Sequence, residues 1–267
     1  MTTHGMEITF GIEIECAIPS EHASGNFRQG GYHRGLQITE APRGWNCQRD
    51  GSVHAMTAGY TPVEIVSPIL SGLDGLSQAC YMAEYLNDVS AEFNRSGGMH
   101  IHVGIPAEKR NSQIFLNRLH RLFTRYEKAF FALNGDKVNE RYYNNFCKRW
   151  NGNATNALRG DRYMALNLNN LFTSKGTVEF RLFAGTGDVE QIITAAYMCV
   201  ALVSAALDET IDIEDRFNYY TTPKNAVNNF IRKIFAHNSV RIVPDSPIDE
   251  VIDHLTGQFH AADAIWA

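Results

Sequence analysis

The chain has 267 residues, 44% hydrophobic and 20% charged, with a formal net charge of -5. That length and apolar share suit one large domain with a sizeable core. The mild acidity argues against general nucleic-acid binding or attraction to an anionic membrane surface. No apolar run approaches the roughly 20 residues that a membrane span needs, and no signal-peptide-like apolar stretch opens the chain. The five cysteines are scattered, with no Cys-x-x-Cys pair, which argues against a disulfide framework or a zinc ribbon. A reducing, cytoplasmic setting is expected.

Residues 7–16 read as a first strand. Residues 17–49, rich in Gly, Ser, His and Arg, show no period and read as a long loop or insertion. Asp50 to His54 and Tyr60 to Pro68 suggest a hairpin turning at Thr57-Ala-Gly59. Apolar residues at helical spacing predict a helix from Leu73 to Phe93 and a second from Ser112 to Leu133. Between them, Gly97-Gly98 opens a strand carrying His100 and His102. Residues 134–161 are polar and aromatic without a clear period. Tyr163 to Leu168 and Thr177 to Ala184 suggest another hairpin, around Ser174-Lys-Gly176. Asp188 is placed to cap a long helix reaching about Leu207. Two more helices are expected near 223–237 and 247–256. Strands in adjacent antiparallel pairs, followed by helices, favour an α+β fold over a doubly wound sheet. One domain over 1–267 is expected, with a core at about 7–207 and a helical extension at about 208–267.

Four apolar runs carry polar side chains at strand spacing. They are Phe10-Gly-Ile-Glu-Ile-Glu-Cys16, Pro62-Val-Glu-Ile-Val-Ser67, Gly98-Met-His-Ile-His-Val-Gly104 and Thr177-Val-Glu-Phe-Arg-Leu-Phe183. Alternate strand residues share a face, so Glu13 with Glu15, His100 with His102, and Glu179 with Arg181 each point one way. Glu64 is the polar residue of its run. Isolated buried charges are too costly to persist, so such a face implies bound metal, bound phosphate or an open polar cleft. Glu13, Glu15, Glu64, His100 and Glu179 form an oxygen-rich, sulfur-free donor set, suited to Mg²⁺ or Mn²⁺ rather than structural zinc. Arg181 suits a phosphoryl oxygen. Taken singly, Glu-x-Glu also describes a solvated strand face, His-x-His a hydrogen-bonded pair, and Glu179-x-Arg181 a cross-strand ion pair. Gly97, Gly98 and Gly104 would let a ligand approach the backbone. Arg159 and Arg162 near the last hairpin are candidates for nucleotide phosphates or ordinary surface cations, and Lys175 reads as the latter. No P-loop, kinase glycine loop or nucleophile elbow is present.

In this order, Gly11-Ile-Glu-Ile-Glu15, Asp50-Gly-Ser52, Val63-Glu-Ile-Val-Ser-Pro68, Gly98-Met-His-Ile-His-Val-Gly104 and Asn167 followed by Thr177-Val-Glu-Phe-Arg-Leu-Phe183 resemble the carboxylate–amine ligases of the glutamine synthetase fold, and among them the amidoligase family. The resemblance covers about residues 7–207. It implies a curved, mainly antiparallel sheet with helices on one face and the site on its concave face, like a glutamine synthetase catalytic domain. It implies ATP as cofactor, with Glu13, Glu15, Glu64, His100 and Glu179 ligating two or three divalent cations, and Asp50 as a further candidate ligand. His102 and Arg181 would contact the nucleotide phosphates. Glutamine synthetases are longer and carry a separate N-terminal domain, so their ring assembly is not carried over. The expected activity is ATP-dependent amide formation between a small-molecule or peptide carboxylate and an amine. The rival readings are a metal-dependent phosphohydrolase or nuclease, and a non-catalytic binding module on the same fold.

Overall fold

The computed structural model describes residues 8–23, 35–36, 42–150, 160–213, 222–235 and 248–266. Among these, seven strands form one sheet: β1 (Phe10–Pro19), β2 (Gly35–Leu36), β3 (Asn46–Arg49), β4 (Tyr60–Val66), β5 (Gly98–Gly104), β6 (Leu166–Asn167) and β7 (Thr177–Ala184). Their order is β2-β3-β4-β1-β5-β7-β6, and every pairing is antiparallel. The helices are α1 (Gly72–Asp88), α2 (Gln113–Ala132), α3 (Val138–Tyr142), α4 (Val189–Leu207), α5 (Pro223–Phe230) and α6 (Ile248–Trp266).

β1 forms because Ile12, Ile14, Cys16 and Ile18 alternate with more polar residues, and all four are buried. Their face packs against α4, and β7 packs on α2. Phe180 of β7 stacks on Phe130 of α2, with ring centroids 5.5 Å apart, and meets Phe123 edge-on at 5.8 Å. Side chains cap the starts of α2 and α4, the second at the Asp188 expected from the sequence. The Ser112 hydroxyl accepts from the Phe115 amide and the Asp188 carboxylate from the Gln191 amide, at 3.3 and 3.1 Å. All five cysteines are free, and burial pushes the Cys47 thiol up to about 12.

Several boundaries differ from the sequence reading. The hairpin partner of β4 is β3 rather than residues 50–54, with Gln48 opposite Glu64. A four-residue strand, Asn-Cys-Gln-Arg, is too short to show a period within the polar 17–49 stretch. α1 stops at Asp88, where Ser90 turns left-handed with φ 58°. Only Leu166–Asn167 of the expected 163–168 strand pairs with β7, because a 3₁₀ turn at Asn169–Phe172 occupies the connection. After α5 the chain takes a π-type turn at Ile231–Phe235. α6 runs ten residues past the expected end at 256. The local cost of Gly257 in a helix, about 1 kcal/mol, is outweighed by burial of Phe259 and Ala262. Among the described residues one helix, α4, is long and apolar enough to cross a membrane, where the sequence suggested no such run. Here it lies buried in the core, which explains its uniform apolarity.

Candidate functional site

The polar face of the four central strands, β4-β1-β5-β7, gathers the side chains that strand spacing singles out. Antiparallel register sets Glu13 opposite His100, Glu15 opposite Glu64, and His102 opposite Glu179. Directly opposed residues share a face and stand close, so three local i,i+2 patterns become one cluster. His100 is central. Its Nδ1 lies 3.3 Å from Glu13 Oε2 and 3.6 Å from Glu179 Oε1, and its Nε2 lies 3.9 Å from Glu15 Oε1. Among the described residues two groups of three could each hold a metal ion: Glu13, His100 and Glu179, and Glu15, Glu64 and His100.

Neighbouring groups aim these carboxylates. Asn167 Nδ2 donates to Glu179 Oε2 at 2.7 Å, and the Gly98 amide donates to Glu15 Oε2 at 2.6 Å. Gln48 Nε2 donates to Glu64, and Arg181 Nη1 donates to Glu179. His102 Nδ1 sits 3.3 Å from Thr177 Oγ1. Its Nε2 is 3.1 Å from Glu13 Oε1 but off the hydrogen-bond direction, so this buried nitrogen has no hydrogen-bond partner among the described residues. An orphaned buried imidazole nitrogen among carboxylates is the mark of a site shaped for something further.

The electrostatics divide the carboxylates. Burial works against charge on Glu13, but the hydrogen bond with His100 and the nearness of both imidazoles outweigh it and hold the group far below the usual carboxylate range. Burial likewise opposes charge on Glu179, and His100, His102 and Arg181 overcome it. Glu64 goes the other way: burial first, and then the charge of Glu13, push it up to about 7. For His102, burial is outweighed by Glu13 and the imidazole is shifted upward. Four carboxylates with one guanidinium and two imidazoles leave an excess of negative charge in a largely buried cluster. A hard divalent cation relieves that excess, and the all-oxygen-and-imidazole donor set suits Mg²⁺ or Mn²⁺.

The other candidates stand apart. Asp50 is buried and accepts from the amide and hydroxyl of Ser52, both at 2.6 Å, and belongs to neither group of three. Arg162 is exposed, its guanidinium 5.1 Å from the Tyr163 ring centre. Arg159 lies outside the described residues. Lys175 is exposed, yet its charge reaches His102. The glycines serve the protein rather than a ligand. A Cβ on Gly97 would stand 2.5 Å from Glu15 O, on Gly98 2.8 Å from Arg141 Nη2, and on Gly104 2.3 Å from Thr9 Oγ1. Sequence reasoning assigned no part to Gln48 or Arg141, and named Asn167 only as a piece of the family pattern, without a role. Asn167 left a usable signal, a lone amide in the apolar run Met164-Ala-Leu-Asn-Leu168. Gln48 and Arg141 left none, since each lies in a segment without a readable period.

Fold and site together define an antiparallel-sheet protein with a carboxylate–imidazole centre beside an arginine. The family model described as "Putative amidoligase enzyme" matches residues 6–159 and 127–203, and the chain belongs to that family. No curated protein matches it in sequence. Among solved structures it is similar to a bifunctional glutathione synthetase from Pasteurella multocida, at 10% identity and a TM-score of 0.48, covering 97% of this chain and 48% of that one. A second is a GmaS/ADP complex, at 12% identity and a TM-score of 0.46, covering 97% of this chain and 69% of that one. The chain spans about half the length of the glutathione synthetase. Neither score is high enough to establish a shared fold.

Proposed function

We propose that this protein is an ATP-dependent carboxylate–amine ligase working through an acyl phosphate. The observation that carries the reading is the meeting of two three-ligand groups at His100, beside Arg181, in a member of the amidoligase family. Glu13, Glu15, Glu64, His100 and Glu179 would hold Mg²⁺ or Mn²⁺, which supplies neutralisation of charge on phosphoryl oxygens when bound. The reading takes the sheet as glutamine synthetase-like, with this face as its concave side.

The chemistry divides a difficult condensation into two displacements. A carboxylate oxygen attacks the γ-phosphorus of ATP, the bond to the bridging oxygen breaks, and ADP leaves. The amine nitrogen then attacks the acyl carbon, loses a proton and expels inorganic phosphate. Arg181, which donates to Glu179, would stabilise charge on the transferring group. His102, whose Nε2 has no hydrogen-bond partner among the described residues, would meet a phosphate oxygen. The substrates are a small-molecule or peptide carboxylate and an amine.

The test is ADP release from Mg·ATP in the presence of paired panels of carboxylates and amines, with the product weighed by mass spectrometry. ADP formed in step with an amide supports the proposal. ADP formed with water alone replaces it with a phosphohydrolase, and no nucleotide binding at all replaces it with a binding module.

A further inference from the structure

Segment 138–147 grips Arg181 from two sides. The Arg141 Nη2 donates to the Arg181 carbonyl at 2.6 Å, and the Arg181 Nε donates to the Phe146 carbonyl at 3.3 Å. The grip falls on an irregular point of the sheet. Met99 pairs with Phe183 and Ile101 with Phe180, so Arg181 and Leu182 both stand opposite His100. Such a bulge disrupts the ladder and re-aims a side chain. It also returns Phe183 to the apolar face, where it meets Phe130 at 6.5 Å.

Arg141 is an expensive residue to keep there. It is 4% exposed, its Nε is buried without a partner, and no carboxylate pairs with it among the described residues. Gly98, the first residue of the Gly-Met-His strand, leaves the space its guanidinium fills. A buried charge of this kind is often matched or bettered in stability by an apolar residue of similar volume. Stability therefore gives no reason for an arginine, while the bond to the Arg181 carbonyl does.

We propose that Arg141 is a positioning residue: it fastens the β7 bulge so that Arg181 is aimed at the transferring phosphoryl group. The inference rests on the ligase reading for its kinetic consequence, but its structural consequence can be read without turnover. Arg141→Met should leave the melting temperature within a few degrees and the KM for ATP little changed. It should lower kcat by about a hundredfold, the scale of a misplacement near 1 Å. In the Arg181→Lys background, Arg141→Met should add almost nothing, because it acts through the residue already lost. Arg141→Lys, which can still donate to the carbonyl, should recover much of the loss.

The readout independent of activity is the Arg181 Nε–H resonance in ¹⁵N-arginine-labelled resting protein. A shift or loss of that signal in Arg141→Met supports the proposal. An unchanged signal overturns it, as does a further large fall in kcat in the double variant. If wild-type protein releases no ADP under any condition, the ligase reading fails, and the resonance still decides the role of Arg141. If Arg141→Met does not fold, the same resonance is read in Arg141→Lys beside Arg141→Gln. An Arg181 signal unmoved in both folded variants then overturns the proposal.

Discussion

Removing divalent cations should give this protein an inverted pH dependence, and Glu64 sets its size. Its carboxyl rises from an ordinary 4.5 to about 7 in the fold, through burial and the charge of Glu13. The folded state therefore holds a proton that the unfolded chain releases, and stability falls as pH climbs from about 4.5 to about 7. At 1.36 kcal/mol per unit the full span is about 3 kcal/mol. That is roughly 6–12 °C for a domain of this size. His102, also shifted upward, acts in the same direction: its contribution is present below 6.5 and is lost as pH rises through its folded value. Glu13 and Glu179 are shifted downward, so their contributions hold above about 4.5 and are lost only on stronger acidification. Thermal melts in EDTA from pH 5 to 8 should thus fall in midpoint as pH rises, and saturating Mn²⁺ should flatten or reverse the trend by taking the place of the proton. Glu64→Gln should make the EDTA series markedly shallower, leaving the smaller slope due to His102. Midpoints in EDTA that are constant or rising between pH 5 and 7.5 would refute the reasoning.

Glu13→Ala should weaken Mn²⁺ binding in calorimetry by more than the 10–100-fold that loss of an outer partner costs, and an unchanged affinity would remove Glu13 from the ligand set. Arg181→Lys should lose about a hundredfold in ADP release with ATP binding kept, because lysine cannot offer the planar fork; near-normal turnover would leave Arg181 a structural ion pair. Phe180→Ala should cost about 3–5 kcal/mol in denaturant unfolding, since its ring is fully buried between Phe123 and Phe130. Asp188→Ala should cost about 1 kcal/mol by loss of the α4 cap, and a neutral result would mean that the Gln191 amide finds water instead.

Glu13, Glu15, His100, His102, Glu179 and Arg181 were legible because a strand's two-residue period is local: the residues that share a face are neighbours in the chain. The same holds for the Asp188 cap, which reaches only three residues ahead. What brings Glu13 to His100 and Glu15 to Glu64 is strand register, set by pairings across tens of residues. That register is chosen by which apolar faces can be buried together, not by any local pattern. The helper groups follow the same rule. Gln48 reaches Glu64 through a four-residue strand with no period, and Arg141 reaches Arg181 from a short helix 40 residues away. The bulge opposite His100 is likewise invisible locally, because it arises where β7 must present Arg181 to one face and Phe183 to the other within a single pairing with β5. The sequence by itself determined which side chains could form the centre. The tertiary structure alone decided that they meet, which donors aim them, and which carboxylate is left holding a proton.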